Sequence, residues 1–149
     1  MQARILLGLA LALFGGTVQA GDGAAQPEQY ICVANRLSGF EYKDETKLWG
    51  PMHSRSDRKY AITAVTDRDV RYTVTDVDQN TALGFCKAGF DEAGRLYCDL
   101  IGGELKLNKH NGRFLLSHLV GYYDVGSSPD ITDETSDMPL IEIGKCSRF

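Results

Sequence analysis

The chain has 149 residues, a net charge of −4 and four cysteines. This length sets one domain with room for a proper core, and the acidic balance gives no footprint for nucleic acid, which selects clustered basic residues. No segment after the N-terminus is apolar enough to serve as a transmembrane anchor.

Residues 1–20 read as a signal peptide. Arg4 supplies a positive n-region, Ile5 to Phe14 an apolar run interrupted by Gly8, and Val18-Gln19-Ala20 a small-x-small cleavage site. Cutting after Ala20 removes 20 of 149 residues and leaves 129, starting at Gly21. Arg4 is the leader's only charge, so −4 becomes −5 in the mature chain. A periplasmic or secreted location follows, and no cysteine next to the cut invites lipidation. Residues 21–29 are small and polar and read as a flexible tail, leaving 30–149 as a single β domain.

Short β-branched and aromatic runs follow, separated by Gly, Asp, Asn and Ser. The first strands are expected at Gln29–Ala34, Phe40–Lys43 and Lys47–Met52, with a turn over Lys43–Thr46. Lys59–Val65 places Tyr60, Ile62 and Ala64 on one face, and Val70–Val77 alternates Tyr72, Val74 and Asp76 against Arg71, Thr73 and Thr75. Ala82–Lys87, Arg95–Ile101 and Glu104–Asn108 come next. Asn111-Gly112 is a strong hairpin signal. A long strand is expected over Arg113–Tyr123, bent at Gly121, then a polar loop over Asp124–Met138 and a last strand at Leu140–Cys146. The fold class is all-β: a single antiparallel barrel or sandwich of about eight strands, stapled by disulfides.

Cys32, Cys86, Cys98 and Cys146 lack the close spacing of zinc ligands, so no metal and no cofactor is expected. Four cysteines in an exported chain make two disulfides with three possible connectivities. Cys86 with Cys98 is the expected short link, because the two flank a turn-rich connection. Cys32 with Cys146 then ties the first strand to the last, at Cα separations near 4.4–6.8 Å. Asp76-Val77-Asp78-Gln79-Asn80 opens like a calcium loop, but Thr81 stands where Gly is needed and Lys87 where Glu is needed. The acidic residues Asp124, Asp130, Asp133, Glu134 and Asp137 read as a solvated loop.

No serine sits in a G-x-S-x-G elbow, so no catalytic residue is assigned. His118 reads as a half-buried structural histidine, His110 as a turn residue and Trp49 as a core anchor. Arg55, Arg58 and Lys59 form a small basic cluster suited to an acidic partner groove. Ser38-Gly39, Ser54–Arg58 and Asp124–Met138 are the candidate contact loops, with Ser38, Gly39, Arg55 and Arg58 the candidate binding residues.

Two resemblances add to this. Phe85-Cys86, Cys98-Asp99, Gly103-Glu104-Leu105, Gly112-Arg113-Phe114, Gly121-Tyr122 and Pro139 to Ser147 resemble a family of small exported proteobacterial β-proteins, which implies no particular activity. Tyr30-Ile31-Cys32, Ser38-Gly39-Phe40-Glu41-Tyr42, Trp49 and Cys146 are similar to the outline of periplasmic C-type lysozyme inhibitors, which are small β-barrels. Gly50-Pro51 follows Trp49 where that family carries Ser-Lys-Gly, so a contact role carries over to Ser38 alone. The expected function is a non-enzymatic binding protein whose partner is another exported protein, an inhibitor of or immunity factor against a cell-wall-acting enzyme. A carrier holding a small apolar ligand, in a cavity lined by Tyr60, Tyr72, Phe114 and Leu116, is the alternative. An enzyme with a cleft joining His118 to a carboxylate is the third.

Overall fold

A computed structural model describes residues 27–123 and 132–149, so the expected leader, residues 21–26 and the acidic residues Asp124 and Asp130 lie outside the described residues. Nine strands run in sequence order: β1 (Gln29–Lys43), β2 (Leu48–Ser54), β3 (Lys59–Ala64), β4 (Tyr72–Asp76), β5 (Thr81–Cys86), β6 (Arg95–Leu100), β7 (Gly103–Asn108), β8 (Arg113–His118) and β9 (Leu140–Arg148). Every neighbouring pair is antiparallel. β1 pairs with β9, which closes eight strands into a barrel and leaves β2 outside the ring. Closure removes the open edges that an eight-stranded sheet otherwise presents.

β1 is one long strand, where the sequence suggested two shorter ones. Its first half pairs with β3 and its second half with β2, while β9 runs along the other edge from Tyr30 to Gly39. Residues 40–51 therefore have no partner in the ring and project past it as a hairpin arm. The turn falls at 44–47, and Lys47 adopts a φ of 56° while its Nζ lies 2.6 Å from Glu134 Oε1, tying the arm to the segment before β9. A bulge between Ala34 and Arg36 switches the parity of β1, so Leu37 and Gly39 take the side that Cys32 and Ala34 take earlier.

The interior is filled along most of its length by Tyr60, Ile62, Val74, Leu96, Leu105, Leu107 and Phe114. Tyr60 and Phe114 meet edge to face with ring centroids 5.9 Å apart. The end where β1 begins and β9 finishes is sealed. Phe90 packs against Tyr30 and Tyr72 at 5.4 and 5.7 Å, and both hydroxyls donate to Glu28, at 2.8 and 2.7 Å. Glu28 and Gln29 are thus held in the structure, and the flexible tail cannot extend to residue 29 as expected. The Tyr72 hydrogen bond is the main cause that holds the Glu28 carboxyl below its ordinary value, against the opposing effect of burial. Burial, with the hydrogen bond to Glu28, pushes the Tyr30 phenol up to about 12.

Two disulfides join Cys32 to Cys146 and Cys86 to Cys98. Both link directly opposed residues on neighbouring strands, so their Cα separations of 3.8 and 4.0 Å fall below the expected window. The expected strand over Arg113–Tyr123 is wrong past His118. Leu119 N and Val120 N both donate to Gly102 O, which turns the chain across the barrel end into α1 (Val120–Tyr123).

Candidate functional site

The opposite end of the barrel, away from the start of β1, is open. It carries the arm, the 55–58 loop, the β4–β5 and β6–β7 turns, α1 and the segment before β9. A cavity of about 280 Å³ enters here between Arg58, Tyr60, Leu83, Leu100, Leu116 and Leu140, with His118 and Asp137 at its rim.

Strand alternation explains the polar floor. Cys146 points inward to meet Cys32, so Gly144, Glu142 and Leu140 point inward too. Glu142 is completely buried, while the isoleucines on either side of it face out. Tyr60, inward on β3, donates its hydroxyl to Glu142 Oε2. Ser56 Oγ donates to Glu142 Oε1 at 3.3 Å. Arg58 bridges two buried carboxylates, with Nη1 3.6 Å from Glu142 Oε1 and Nη2 3.4 Å from Asp76 Oδ2. Gln79 N completes Asp76 by donating to Oδ1 at 3.0 Å. Buried carboxylates require this kind of pairing, since an unpartnered charge in the interior is strongly unfavourable. Burial, then the hydrogen bond to Glu142, pushes the Tyr60 phenol well above its ordinary range.

The rim is built by close approaches at glycines. Gly102, at a φ of 81°, leaves the room that the His118 ring fills, since a Cβ there would lie 2.4 Å from Cε1. Gly121 does the same for Asp137. His118 Nε2 and Asp137 Oδ2 are 3.5 Å apart. A histidine and a carboxylate do share this cleft, which the buried Ser117 also borders. Among the described residues, no cluster of metal-ligating side chains is present.

Several expected site residues move. Ser38 and Gly39 are not in a loop: they lie inside β1, paired on both edges, because β9 extends to Gly39 and β2 begins alongside. A Cβ on Gly39 would sit 2.2 Å from Pro139 O, so this glycine serves a close backbone approach. Arg58 pairs with Asp76 and Glu142, and its side chain remains partly exposed at the mouth. Arg55 is exposed on the 55–58 loop. Trp49 is not in the barrel core. It sits on the arm, between Tyr42 at 5.9 Å and Tyr122 of α1 at 5.0 Å. Of the expected carrier lining, Tyr60 and Leu116 border the cavity, whereas Tyr72 belongs to the sealed end and Phe114 to the packed middle.

Sequence reasoning missed Glu142, and weighed Asp76 only as the start of a calcium-like stretch that Thr81 and Lys87 rule out. The signal for Glu142 was its shared parity with Cys146. Sequence reasoning also missed the apolar character of the mouth, where Ile101 is 80% exposed, Leu48 65% and Phe40 54%, with Leu119, Tyr122 and Met138 also exposed nearby. No helix of the described residues is long and apolar enough to cross a membrane. The chain matches no family model, no curated protein and no solved structure.

Proposed function

We propose that this is an exported, non-catalytic binding protein that meets another protein with the open mouth of its barrel and the projecting arm. The observation that carries this reading is the set of exposed apolar side chains at one end, with Phe40 and Leu48 on opposite faces of the arm and Ile101 and Met138 across the opening. Exposed large apolar side chains gathered at one end of a protein are characteristic of interaction sites. A disulfide-stapled barrel and an arm tied through Lys47 to Glu134 lose little freedom on association, which favours affinity from a modest interface. The proposed target is a cell-wall-acting enzyme in the periplasm or outside the cell, a class suggested by the resemblance to C-type lysozyme inhibitors.

The cavity supports a second reading as a small-ligand carrier. Its volume of about 280 Å³ lies at the lower bound of typical ligand sites, roughly 300–1,000 Å³, so the outer rim is the better candidate for the main contact. The test adds mature protein to a panel of lysozymes and periplasmic amidases and reads residual activity. Inhibition that weakens in Leu48→Ser and Ile101→Ser, with both variants folded, is the expected result. No inhibition across the panel, with a small molecule extracted from the purified protein, would replace this reading with the carrier.

A further inference from the structure

The strand register lines up a row of cations on the outer wall of the barrel, in the half nearer the start of β1. Arg95 faces Asn108, Asn108 faces Arg113, and Arg113 faces Lys145. Two residues along, the neighbouring row reads Tyr97, Lys106, Leu115 and Ile143. A groove of about 620 Å³ lies over these rows, and every charged side chain lining it is basic: Arg95, Lys106, Arg113 and Lys145. In a chain of net charge −4 this is a local inversion of sign.

Two features set the row apart from an ordinary solvated face. Arg113 and Lys145 are directly opposed, and among the described residues neither has a carboxylate within 4.0 Å. Like charges directly opposed in an antiparallel pair are destabilising. Arg95 and Lys106 do pair, with Asp91 at 2.9 Å and Glu104 at 2.6 Å, but these contacts are solvent-exposed and exchange at little cost. Beside the cations, Tyr97 and Ile143 are each about half exposed.

We propose that this wall docks an acidic polypeptide segment. The row from Arg95 to Lys145 crosses three interstrand spacings, about 14 Å. Carboxylates on alternate residues of an extended segment recur about every 7 Å, which places several within reach of the row. The side chains between them point away from the wall, so the carboxylates carry the recognition. The groove is too open to enclose an acyl chain, whereas small-ligand sites bury most of their ligand. Tyr97 is its only aromatic side chain with a half-exposed outward face, which disfavours a sugar polymer. β7, β8 and β9 are paired on both edges along the wall, so the segment binds them through side chains and does not add a strand there.

The test uses the mature protein and a fluorescein-labelled peptide of repeating Glu-Leu-Glu-Ser, read by anisotropy at low and high salt. Saturable binding that weakens with salt is expected, with no binding of the same peptide carrying Lys for Glu. Lys145→Glu is expected to weaken binding about tenfold, the loss of one charge-assisted contact. The same substitution gives Arg113 a facing carboxylate, so the thermal midpoint holds or rises and the binding loss cannot be ascribed to unfolding. Three results would overturn the proposal: no saturable binding, binding unchanged in Lys145→Glu, or tighter binding to hyaluronan oligosaccharides or phosphatidylglycerol vesicles than to the peptide. None of these touches the mouth, so the outcome is independent of the inhibition assay.

Discussion

Replacing Arg58 with methionine removes the single cation that bridges Asp76 and Glu142 while keeping a long side chain at the mouth. Both carboxylates are buried, so their charges lose a partner without gaining water. Removing one member of a buried ionic group costs roughly 3–5 kcal/mol. The Arg58 side chain is 42% exposed, so solvent already screens part of the interaction, and about 2–3 kcal/mol is the reasonable expectation. For a domain of this size each kcal/mol moves the midpoint by about 3–5 °C, giving a fall of roughly 6–15 °C. The diagnostic is a change of sign at Glu142. In the wild-type background Glu142→Gln removes a charge-assisted acceptor from Tyr60 and Arg58 and is destabilising. In the Arg58→Met background the same substitution removes an unpaired buried charge and is stabilising. Urea and thermal unfolding of the oxidised mature protein, for the two single variants and the double variant, give the four corners of the cycle. A midpoint shift below about 2 °C for Arg58→Met, or a Glu142→Gln effect of the same sign in both backgrounds, would refute the bridging role.

Two further outcomes follow from the barrel ends and the staples. Tyr30, Tyr60 and Tyr72 have phenols raised above their ordinary value of 10, chiefly by burial, so their folded forms hold protons that the unfolded chain releases. This contribution is fully present below pH 10 and is lost as pH rises through the folded values. Tyrosinate absorbance is therefore expected to rise in two stages, the later one coinciding with unfolding, and a single stage near pH 10 would contradict the sealed end. Removing Cys32–Cys146, which spans 114 residues, is expected to cost about 5 kcal/mol against about 3 for Cys86–Cys98, which spans 12. Denaturant unfolding of the paired Cys→Ala variants measures the order, and a larger loss at Cys86–Cys98 would show that loop closure does not dominate.

Much of the architecture was legible in the residues. Period-two patterning marked the strands in β3, β4, β6 and β7 to within a residue or two, because alternation follows from the pleat itself. Asn111-Gly112 located the β7–β8 turn, since Gly112 supplies the positive φ that the turn requires. The cysteine positions led to both disulfides, and with them to closure of the first strand on the last. Alternation alone does not say which face is inside. In β9 hydrophobicity argues for Ile141 and Ile143 as core residues, yet they face out and Glu142 is buried, because the Cys32–Cys146 link fixes the parity of the strand. The same parity lays the cationic row on the outer wall. The bridging of Asp76 and Glu142 by Arg58 joins residues far apart in sequence, and no local signal carries such a contact. The end of β8 at His118 and the merging of Ser38-Gly39 into β1 were likewise decided by partners: Gly102 O for the first, the edges of β2 and β9 for the second. Local chemistry set what each segment could become, and ring closure decided which face of it met the core.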